Sequence, residues 1–414
     1  MASTYLSRTL GTSTNVYKGT VSHWVKRAGL GAMGTFAAWN NGVSDTNRAY
    51  LNFNNDDIYF YDQANSMTLE TNRKFRDVYA WYHIVCAWDT SQGTAADRVK
   101  IYVNGVQETS FSTANYPSVN STLQFNTSGR TFGLGSYANS GAAAGFFNGS
   151  MANVEFVDGT ALTPAYFGST DSNTGIWKPG GSSTISSYGT NGFKLAMDTS
   201  TPGADTSGNT NNFTVGAGTP TLTQGSPSNV FATMNPLIPG QTNYTYSNGN
   251  LTITQGSSAW VKSNSTIGMS SGKYYWEAKY VSGLYTVVGV DKTDTATPYP
   301  STSSSAVGWK RNGNVEVGTT PQTDIASYAH GDIVSVALDM DNACVYFGKG
   351  GVWQNSGDPT SGASKTGAYS LPSYVANTPY FATVSPYESG ATSMNFGEGF
   401  FGTTAAGTQA DDNG

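Results

Sequence analysis

The sequence predicts an all-β protein made of antiparallel β-sandwiches, and three observations carry this prediction. Short runs of alternating hydrophobic and polar residues recur about every 8–15 residues along the chain. Gly, Asn, Ser and Pro separate these runs, as they do where tight turns join neighbouring strands. The periodicity of an α-helix is almost absent, so a parallel sheet with crossover helices is not expected.

The strands are recognisable by their two-residue period. In "TVSHWVKRA", Val21, His23 and Val25 alternate with Ser22 and Trp24, so the two sets point to opposite faces of a sheet. The runs "VKIYVNG", "YYWEAKYV" and "DIVSVALDMD" alternate in the same way. The segments "VNGV" and "KRNGNV" are typical of Asn-Gly hairpin turns.

One hairpin pattern occurs twice in the chain. "RVKIYVNGVQ" at residues 98–107 and "NACVYFGKGGVW" at residues 342–353 are each a strand, a glycine-containing turn and a second strand that opens on valine. Only one short helix is expected, in "LTPAYFGS". There Thr163 would be the N-cap and Pro164 the first helical residue.

The length of 414 residues is enough for two domains. The strand signal is weakest between residues 169 and 236, which we interpret as a connector with two strand-like runs, "FKLAMD" and "NNFTV". We place the domain boundary near residue 220. The first domain then covers residues 1–220 with a core at 15–168, the second covers 221–402, and residues 403–414 form a flexible polar tail.

The composition indicates many short strands with polar loops, because only 12% of the residues are charged while 13% are aromatic. The net charge of −6 arises after residue 200, where 8 basic residues face 14 acidic ones. No basic patch is present, so nucleic-acid binding is not expected. No apolar run approaches the ~20 residues of a membrane span, and "MASTYLSRTL" lacks the apolar core of a signal peptide. We therefore expect synthesis in a cytoplasm and no membrane insertion.

Two ordered sets of segments resemble known modules. "TVSHWVKR", "WYHIVCAWDTS", "RVKIYVNGVQ" and "FNGSMANVEFVDGTAL" follow one another within residues 15–168, which resemble a laminin-G/concanavalin A-like sandwich. "SGKYYWEAKYV", "YTVVGVD", "SSAVGWKRNG", "HGDIVSVALDMDNACVYFGKGGVW", "PYFATVSPY" and "NFGEG" follow one another within residues 255–397, which resemble a SPRY domain. The joint between them is similar to that of phage-encoded structural proteins that combine these two modules.

The resemblance implies two antiparallel jelly-roll-like β-sandwiches in tandem, each with its repeated hairpin near the centre of a sheet. It further implies a non-enzymatic protein on the virion surface of a tailed phage. One role is a tail or fibre adhesin that recognises a host surface glycan or protein, and the alternative is a capsid decoration or head fibre. Other virion proteins would be partners, and the chain could form a homo-oligomer. Because the strand pattern begins almost at Met1 without a coiled-coil or collagen-like shaft, we expect attachment through a globular face or the C-terminal tail.

A glycan hydrolase is a second alternative, because concanavalin A-like folds also include glycosidases, which need two carboxylates a few ångströms apart. None of the seven Glu lies in an E-x-D-x-x-E pattern. The nearest pair, Glu155 and Asp158, has a spacing that places the two side chains on opposite strand faces. "GLGAMG" and "GMSSG" match a dinucleotide fingerprint and a nucleophile elbow in form, but a strand-like run follows each of them instead of a helix.

The best candidate for a metal site is "DTSGNTNNF". Asp205, Ser207 and Asn209 alternate there as oxygen donors, as a calcium loop requires. The glycine and the terminal glutamate of an EF-hand loop are missing, and an Asx-type turn explains the same residues. Laminin-G-like sandwiches often hold calcium at a sheet rim, so the resemblance adds weight to Ca²⁺; no other cofactor is expected.

Three tyrosines on predicted loops are candidates for ligand binding: Tyr137 in "GLGSYANSG", Tyr299 in "TPYPSTSS" and Tyr387 in "SPYESG". A rigid aromatic ring can stack on a sugar or dock a protein, and it can also simply cover its own loop. The resemblance implies binding through the loops at one end of the SPRY-like sandwich.

The remaining reactive side chains are expected to be structural. Cys86 and Cys344 lie in strand-like runs in different halves, so we expect buried free thiols and no disulfide framework. His23 and His83 lie in strands beside tryptophans, where packing is the expected role, and His330 lies in a turn. No H-x-x-x-H pair or cysteine cluster predicts a zinc site.

Overall fold

The structure is a computed structural model that describes residues 3–40, 47–197, 201–238, 241, 243–292, 303–322, 324–402 and 404–406. The chain divides into two compact units. The first comprises Met1–Leu222 and Ser226–Asn229, and the second comprises Thr223–Gly225 and Val230–Gly414. In the described ranges the regular elements are strands and short 3₁₀ helices, without an α-helix, so the all-β prediction is confirmed.

The strands of the first unit are short, as alternating runs between turn residues predict. Three 3₁₀ helices, Ala95–Asp97, Gln124–Asn126 and Pro164–Tyr166, lie between the strands in the described part of this unit. The strands are β1 (Tyr5–Thr9), β2 (Lys18–Arg27), β3 (Met33–Trp39), β4 (Ala49–Asn54), β5 (Asp57–Asp62), β6 (Met67–Thr71), β7 (Trp81–Asp89), β8 (Val99–Val103), β9 (Val106–Gln107), β10 (Phe111–Asn115), β11 (Thr131–Leu134), β12 (Tyr137–Asn139), β13 (Ala142–Ala144), β14 (Gly149–Asp158), β15 (Gly168–Thr170), β16 (Trp177–Pro179), β17 (Phe193–Leu195) and β18 (Thr214–Ala217).

Two large antiparallel sheets hold most of these strands. The order in the eight-stranded sheet is β10-β6-β5-β4-β3-β11-β1-β18, and the order in the six-stranded sheet is β17-β14-β2-β7-β8-β9. The pairs β12-β13 and β15-β16 form separate two-stranded ribbons. Sequence neighbours such as β1 and β2 lie in different sheets, so the chain crosses between the sheets as a jelly-roll-like sandwich requires.

The core of the first unit lies between the two sheets. Phe36 and Phe60 of the eight-stranded sheet and Val21 and Val25 of the six-stranded sheet are fully buried in one cluster. His23 belongs to the same face of β2, and its ring centroid lies 4.7 Å from that of Phe36. The alternation predicted for β2 is therefore confirmed. Burial of each such side chain contributes about 1.5–3 kcal/mol, so this cluster is a main source of stability.

Most of the segment interpreted as a connector belongs to the first unit. Its two strand-like runs form β17, at the edge of the six-stranded sheet beside β14, and β18, at the edge of the eight-stranded sheet beside β1. Just before it, Phe167 packs on Val85 and Val157 on the outer face of the six-stranded sheet. The sandwich core is thus not limited to residues 15–168: β1 extends it on one side, and β17 and β18 extend it on the other.

The second unit repeats the sandwich plan with different strands. A 3₁₀ helix, Gly362–Ser364, lies in one of its loops. The strands are β19 (Tyr244–Ser247), β20 (Thr252–Gln255), β21 (Ser263–Asn264), β22 (Lys273–Ser282), β23 (Tyr285–Asp291), β24 (Val307–Lys310), β25 (Val315–Val317), β26 (Thr320–Pro321), β27 (Ile333–Asp339), β28 (Cys344–Lys349), β29 (Val352–Trp353), β30 (Tyr369–Ser370), β31 (Phe381–Tyr387), β32 (Ala391–Asn395), β33 (Phe400–Phe401) and β34 (Thr404–Ala405).

Two antiparallel sheets enclose the core of the second unit. One has the order β19-β20-β32-β22-β27-β28-β29, with β30 paired to β28, and the other has the order β21-β31-β23-β24-β25-β26. Trp276 and Val336 of the first sheet meet Val288 and Trp309 of the second sheet in one buried cluster. β33 and β34 form a small ribbon, so the described start of the predicted tail is paired; residue 403 and residues 407–414 lie outside the described residues.

The two repeated hairpins are present, but each lies at a sheet edge instead of near a centre. β8 and β9 end the six-stranded sheet of the first unit, and β28 and β29 end the larger sheet of the second. Asn104 and Gly105 have φ of 50° and 81°, and Gly350 and Gly351 have φ of 57° and 79°. Positive φ at both central residues defines a type I′ turn, whose twist suits a two-residue hairpin. In "KRNGNV" only Gly313 has positive φ, at 100°, so this turn is of another type.

The other local motifs are turns. The short helix is a single 3₁₀ turn with Pro164 at its first position, as predicted, but Thr163 makes no side-chain capping hydrogen bond. β3 follows "GLGAMG" and β22 follows "GMSSG". Neither glycine-rich segment therefore opens a helix that could bind a phosphate or present a nucleophile.

Candidate functional site

Three aromatic rings of the second unit meet at one end of its six-stranded sheet. Trp260 stacks on Tyr387 with centroids 4.3 Å apart and ring planes 18° apart. The Tyr285 centroid lies 6.0 Å from that of Trp260 and 6.5 Å from that of Tyr387. We call these three rings the aromatic platform. All three remain partly exposed, so the platform is a surface and not a part of the core.

Sheet register brings the platform together. Tyr285 opens β23 and Tyr387 closes β31, and the antiparallel pairing of these strands places the two residues opposite each other. Trp260 comes from the loop before β21, which pairs with the other edge of β31. Glu388 and Ser389 have φ of 51° and 56°, so the chain turns sharply after β31 and leaves the Tyr387 ring at the sheet end.

Two open depressions share Tyr285 as a lining residue. The larger has a volume of about 350 Å³, and Tyr285, Arg311 and Asn312 contribute to its wall. The smaller has a volume of about 270 Å³ and includes Trp260 and Lys310 together with Tyr285 and Asn312. Because both share Tyr285 and Asn312, an elongated ligand could occupy the two depressions at once.

The lysines of this site are paired with acids. Lys310 forms an ion pair with Glu316 on the neighbouring strand. Lys349 lies 3.3 Å from Asp332 through its Nζ atom and the Oδ2 atom of the acid. Lys349 also donates a hydrogen bond of 2.9 Å to the Ser327 carbonyl. In each pair the acid offsets the charge of the lysine within the site.

Arg311 differs from these lysines. It donates a hydrogen bond to the Leu284 carbonyl, and its Cζ atom lies 5.6 Å from the Tyr285 ring centroid and 6.0 Å from that of Tyr280. These are cation–π distances. In the part of the chain that the structure describes, it forms no ion pair.

The floor of the larger depression is rigid. The Tyr328 hydroxyl lies 3.0 Å from the Thr286 carbonyl and 2.9 Å from the Trp309 carbonyl, and its side chain is buried. Burial raises the pKa of Tyr328 well above its usual value. The phenol therefore stays neutral and fixed, and a ligand would rest on a preformed surface.

The structure brings one of the predicted binding tyrosines, Tyr387, into this site. Tyr299 lies outside the described residues. Sequence reasoning missed Trp260, Tyr285 and Arg311, which are separated along the chain and meet only through strand pairing. The available signal was that Tyr285 begins one strand-like run and Tyr387 ends another, so that both lie where a run meets a loop.

Tyr137 belongs to the first unit, whereas the aromatic platform belongs to the second. It starts β12, its ring centroid lies 5.6 Å from that of Tyr50, and it covers Gly145, where a Cβ atom would lie 1.7 Å from the Tyr137 ring. Tyr50 in turn contacts Tyr59 and Tyr61 on the outer face of the eight-stranded sheet. For Tyr137 the alternative of a ring that covers its own loop fits these contacts.

The calcium candidates form a closed turn. Asp205 Oδ1 accepts hydrogen bonds from the Lys194 and Ser207 amides, and Oδ2 accepts from the Ser207 hydroxyl and the Asn211 amide, all at 2.8–2.9 Å. Asn209 uses its Nδ2 to donate to the carbonyls of Gly189 and Gly192. The donor set of Asp205, Ser207 and Asn209 therefore does not fit a calcium ion, and the Asx-type turn accounts for it.

The two carboxylates that come nearest to a glycosidase pair in the sequence, Glu155 and Asp158, both accept hydrogen bonds within the first unit. Glu155 accepts a hydrogen bond of 2.5 Å from the Tyr188 hydroxyl, and burial raises its pKa although that bond opposes the shift. Asp158 accepts from the amides of Thr14 and Asn191 at 3.0 Å each. Each carboxylate thus ties separate parts of the first unit together.

Other reactive groups are buried or dispersed. Cys86 and Cys344 are free and buried, as predicted, and burial raises the pKa of both thiols. Among the described residues, no group of three or more His, Cys, Asp or Glu side chains could hold a metal ion. No helix in those same ranges has the length and apolarity needed to span a membrane.

Several solved structures are similar to part of this chain. Solved structures similar to it include the SPRY domain of human HERC1, with 21% identity and a TM-score of 0.30 over 37% of this chain and 92% of that chain. The TRIM65 PSpry domain has 13% identity and a TM-score of 0.31 over 40% and 92%. A heptameric SAP-like pentraxin from Limulus polyphemus has 17% identity and a TM-score of 0.30 over 39% and 71%.

The family match lies within the first unit. No curated protein matches the chain. Residues 2–166 match the laminin-G model of the concanavalin A-like lectin/glucanases superfamily. This match contains the four segments from which the resemblance was inferred, and it confirms that residues 2–166 are similar to a laminin-G/concanavalin A-like domain.

Proposed function

We propose that this chain is a non-enzymatic binding protein that acts as an adhesin on the tail or fibre of a tailed phage. It would hold a host surface glycan or protein against the aromatic platform. The observation that carries the proposal is the platform itself: three partly exposed rings beside two depressions with polar walls. Aromatic faces with a few placed polar groups suit the recognition of sugars and of protein hot spots.

A place on the virion surface is supported by the sequence. The chain has 12% charged residues and a surface that must come from Ser, Thr, Asn and Gly, as in proteins that present many polar loops. The joint between its two halves is similar to that of phage structural proteins. One unit would be held by other virion proteins while the other faces the host.

Replacing Tyr285 with Ala tests the platform. Tyr285 is 37% exposed, and Tyr274, at 39%, is a matched control in the same unit on β22. We expect Tyr285→Ala to weaken binding to a panel of bacterial surface glycans and to host envelope fractions at least about tenfold, a change of about 1.4 kcal/mol. Tyr274→Ala should bind as the unchanged protein does. Equal binding by both variants, with unchanged melting temperatures, would remove the platform from the function.

A capsid decoration or head fibre is the second candidate. It is favoured by the division into two compact units with separate cores, because one unit could grip a shell while the other is displayed. Immunogold labelling of intact particles with an antibody to residues 223–414 separates the two roles. Gold on the tail supports the adhesin, gold over the head supports the decoration, and unlabelled particles would overturn both.

A further inference from the structure

The aromatic platform is bordered by a cation that its neighbours do not neutralise. Residues 201–414 carry 8 basic and 14 acidic side chains, so this part of the chain is acidic by 14 − 8 = 6 charges. Two acids near the depressions already form ion pairs with lysines: Glu316 pairs with Lys310, and Asp332 pairs with Lys349. Among the residues that line the two depressions, Arg311 is the charged side chain without an ion pair, and the exposed acid next to Tyr387, Glu388, lines neither depression.

The guanidinium of Arg311 also has donors to spare. The Leu284 carbonyl and the Tyr280 hydroxyl are its hydrogen-bonding neighbours. A guanidinium carries five N–H donors in a planar fork, so about three remain for a ligand. Arg311 contributes to the wall of the larger depression beside Tyr285, which places these donors next to an exposed ring face.

We propose that this site binds a sugar that carries an oxyanion substituent, a carboxylate or a phosphate, and that Arg311 selects it. This inference rests on the proposed function. The sugar ring would lie against Tyr285, and the oxyanion would accept two parallel hydrogen bonds from the Arg311 fork. Asn312 is exposed between the two depressions and would bind a ring hydroxyl.

Isothermal titration of the full chain with matched sugars tests the selection. The probes are uronic-acid oligosaccharides, their carboxyl-reduced counterparts and the corresponding sugar phosphates. We expect the acidic forms to bind about 10- to 100-fold more tightly than the reduced forms, because a charge-assisted bidentate pair is lost on reduction. The carboxylate and phosphate arms show which oxyanion the site prefers.

Three variants assign the effect to Arg311. Arg311→Gln should bind acidic and reduced sugars equally. Arg311→Lys should keep part of the preference, because it retains the charge but lacks the fork. Lys279→Gln makes the same change in net charge on β22 at a residue that lines neither depression, and it should keep the full preference.

The outcomes separate this inference from the proposed function. A preference that disappears in Arg311→Gln and persists in Lys279→Gln supports the assignment. Sugar binding without a preference for the acidic form, or a preference that survives in Arg311→Gln, overturns it while the adhesin proposal stands. If no acidic or neutral glycan binds the unchanged protein, the glycan-binding form of the proposed function fails, and this inference fails with it.

Discussion

At the scale of single residues, a serine and a histidine form a pair that resembles a catalytic dyad but has the wrong proton arrangement. Ser22 Oγ lies 2.9 Å from His83 Nε2, and Trp177 Nε1 lies 2.9 Å from His83 Nδ1. An indole N–H can only donate, so Nδ1 must accept and the proton of the neutral ring lies on Nε2. His83 therefore donates to Ser22 and has no lone pair with which to take its proton. The pair is structural, as predicted for His83.

Two buried histidines should make the protein sensitive to acid. Burial lowers the pKa of His23 and of His83 from 6.5 to about 3. Below pH 6.5 these histidines bind protons in the unfolded chain but not in the folded chain. The free energy of unfolding is therefore not reduced by the two histidines above pH 6.5. As the pH falls from 6.5 towards 3, the free energy of unfolding should fall by about 1.4 kcal/mol per pH unit for each histidine.

The variant His23→Leu checks this expectation. It removes one of the two groups from a site packed against Phe36. Urea unfolding at several pH values between about 5 and 6.5 should give about half the slope of the unchanged protein, because one proton fewer is taken up on unfolding. A slope that does not change would show that His23 does not control the acid sensitivity.

Asp205 should stabilise the first unit without calcium. Its carboxylate accepts four hydrogen bonds within the turn, so Asp205→Ala leaves three backbone amides and a hydroxyl without this acceptor. We expect a loss of about 1–2 kcal/mol, since water can replace part of these bonds at a partly exposed loop. EDTA at matched ionic strength should leave the melting temperature of the unchanged protein where it was. A fall with EDTA that is absent in Asp205→Ala would restore the calcium hypothesis.

At the scale of elements, the sequence predicted where strands occur but not which strands pair with each other in the sheets. The two-residue period identified β2, β8, β22 and β27, because each strand carries that pattern within its own residues. The edge position of the repeated hairpins depends on which strand pairs with which, and no local pattern records that. The buried ion pair between Lys262 and Asp291 could not be predicted either. The two residues are 29 positions apart, and the sequence gives no sign that they meet.

The first of the repeated hairpins is held by a tryptophan from a loop-rich segment. A Cβ atom on Gly105 would lie 2.7 Å from the Trp177 ring, so this turn needs glycine both for its φ of 81° and for the close approach. Trp177 also donates to His83 on the adjacent strand β7. Trp177 thus connects the segment after residue 170 with the hairpin β8–β9 at one edge of the six-stranded sheet.

Gly105→Ala should therefore lower the free energy of unfolding more than the same substitution at another glycine with a similar backbone conformation. Gly129 is the matched control in the same unit, because it has a φ of 79° and no neighbouring atom lies within 4 Å of where its Cβ would be. Gly129→Ala should lower the free energy of unfolding by about 1–2 kcal/mol through backbone strain alone. Gly105→Ala should lose more, because Trp177 must move. Equal losses in urea unfolding would argue against a packing role for Trp177.

At the scale of the whole molecule, the sequence predicted two β-sandwiches but placed the end of the first core too early. The segment after residue 168 is rich in Gly, Ser and Thr, which is typical of a connector. Its few large residues do the anchoring: Trp177 covers a hairpin turn, and Phe193 and Phe213 enter the core between the two sheets. The average composition of the segment is that of a loop, but a few buried aromatic rings are enough to attach it to the sandwich. Widely spaced aromatic residues give no strand pattern, so their role could not be predicted from the sequence.

Fragments of the chain test where the first sandwich ends. A fragment of residues 1–222 keeps β17 and β18, and a fragment of residues 1–168 loses both, together with Trp177. We expect the longer fragment to be soluble, with one cooperative thermal transition. The shorter one should aggregate or melt at a lower temperature, because it exposes strand edges and part of the core. Differential scanning calorimetry of both fragments measures the difference.

A fragment of residues 223–414 is the complementary test. Its two sheets enclose a core of their own, so it should be soluble and unfold in a single transition. Equal melting temperatures for residues 1–168 and 1–222 would mean that β17 and β18 add nothing to the first sandwich. An insoluble 223–414 fragment beside a soluble 1–222 fragment would mean that the second sandwich needs the rest of the chain, and the aromatic platform would then have to be studied in the full-length protein alone.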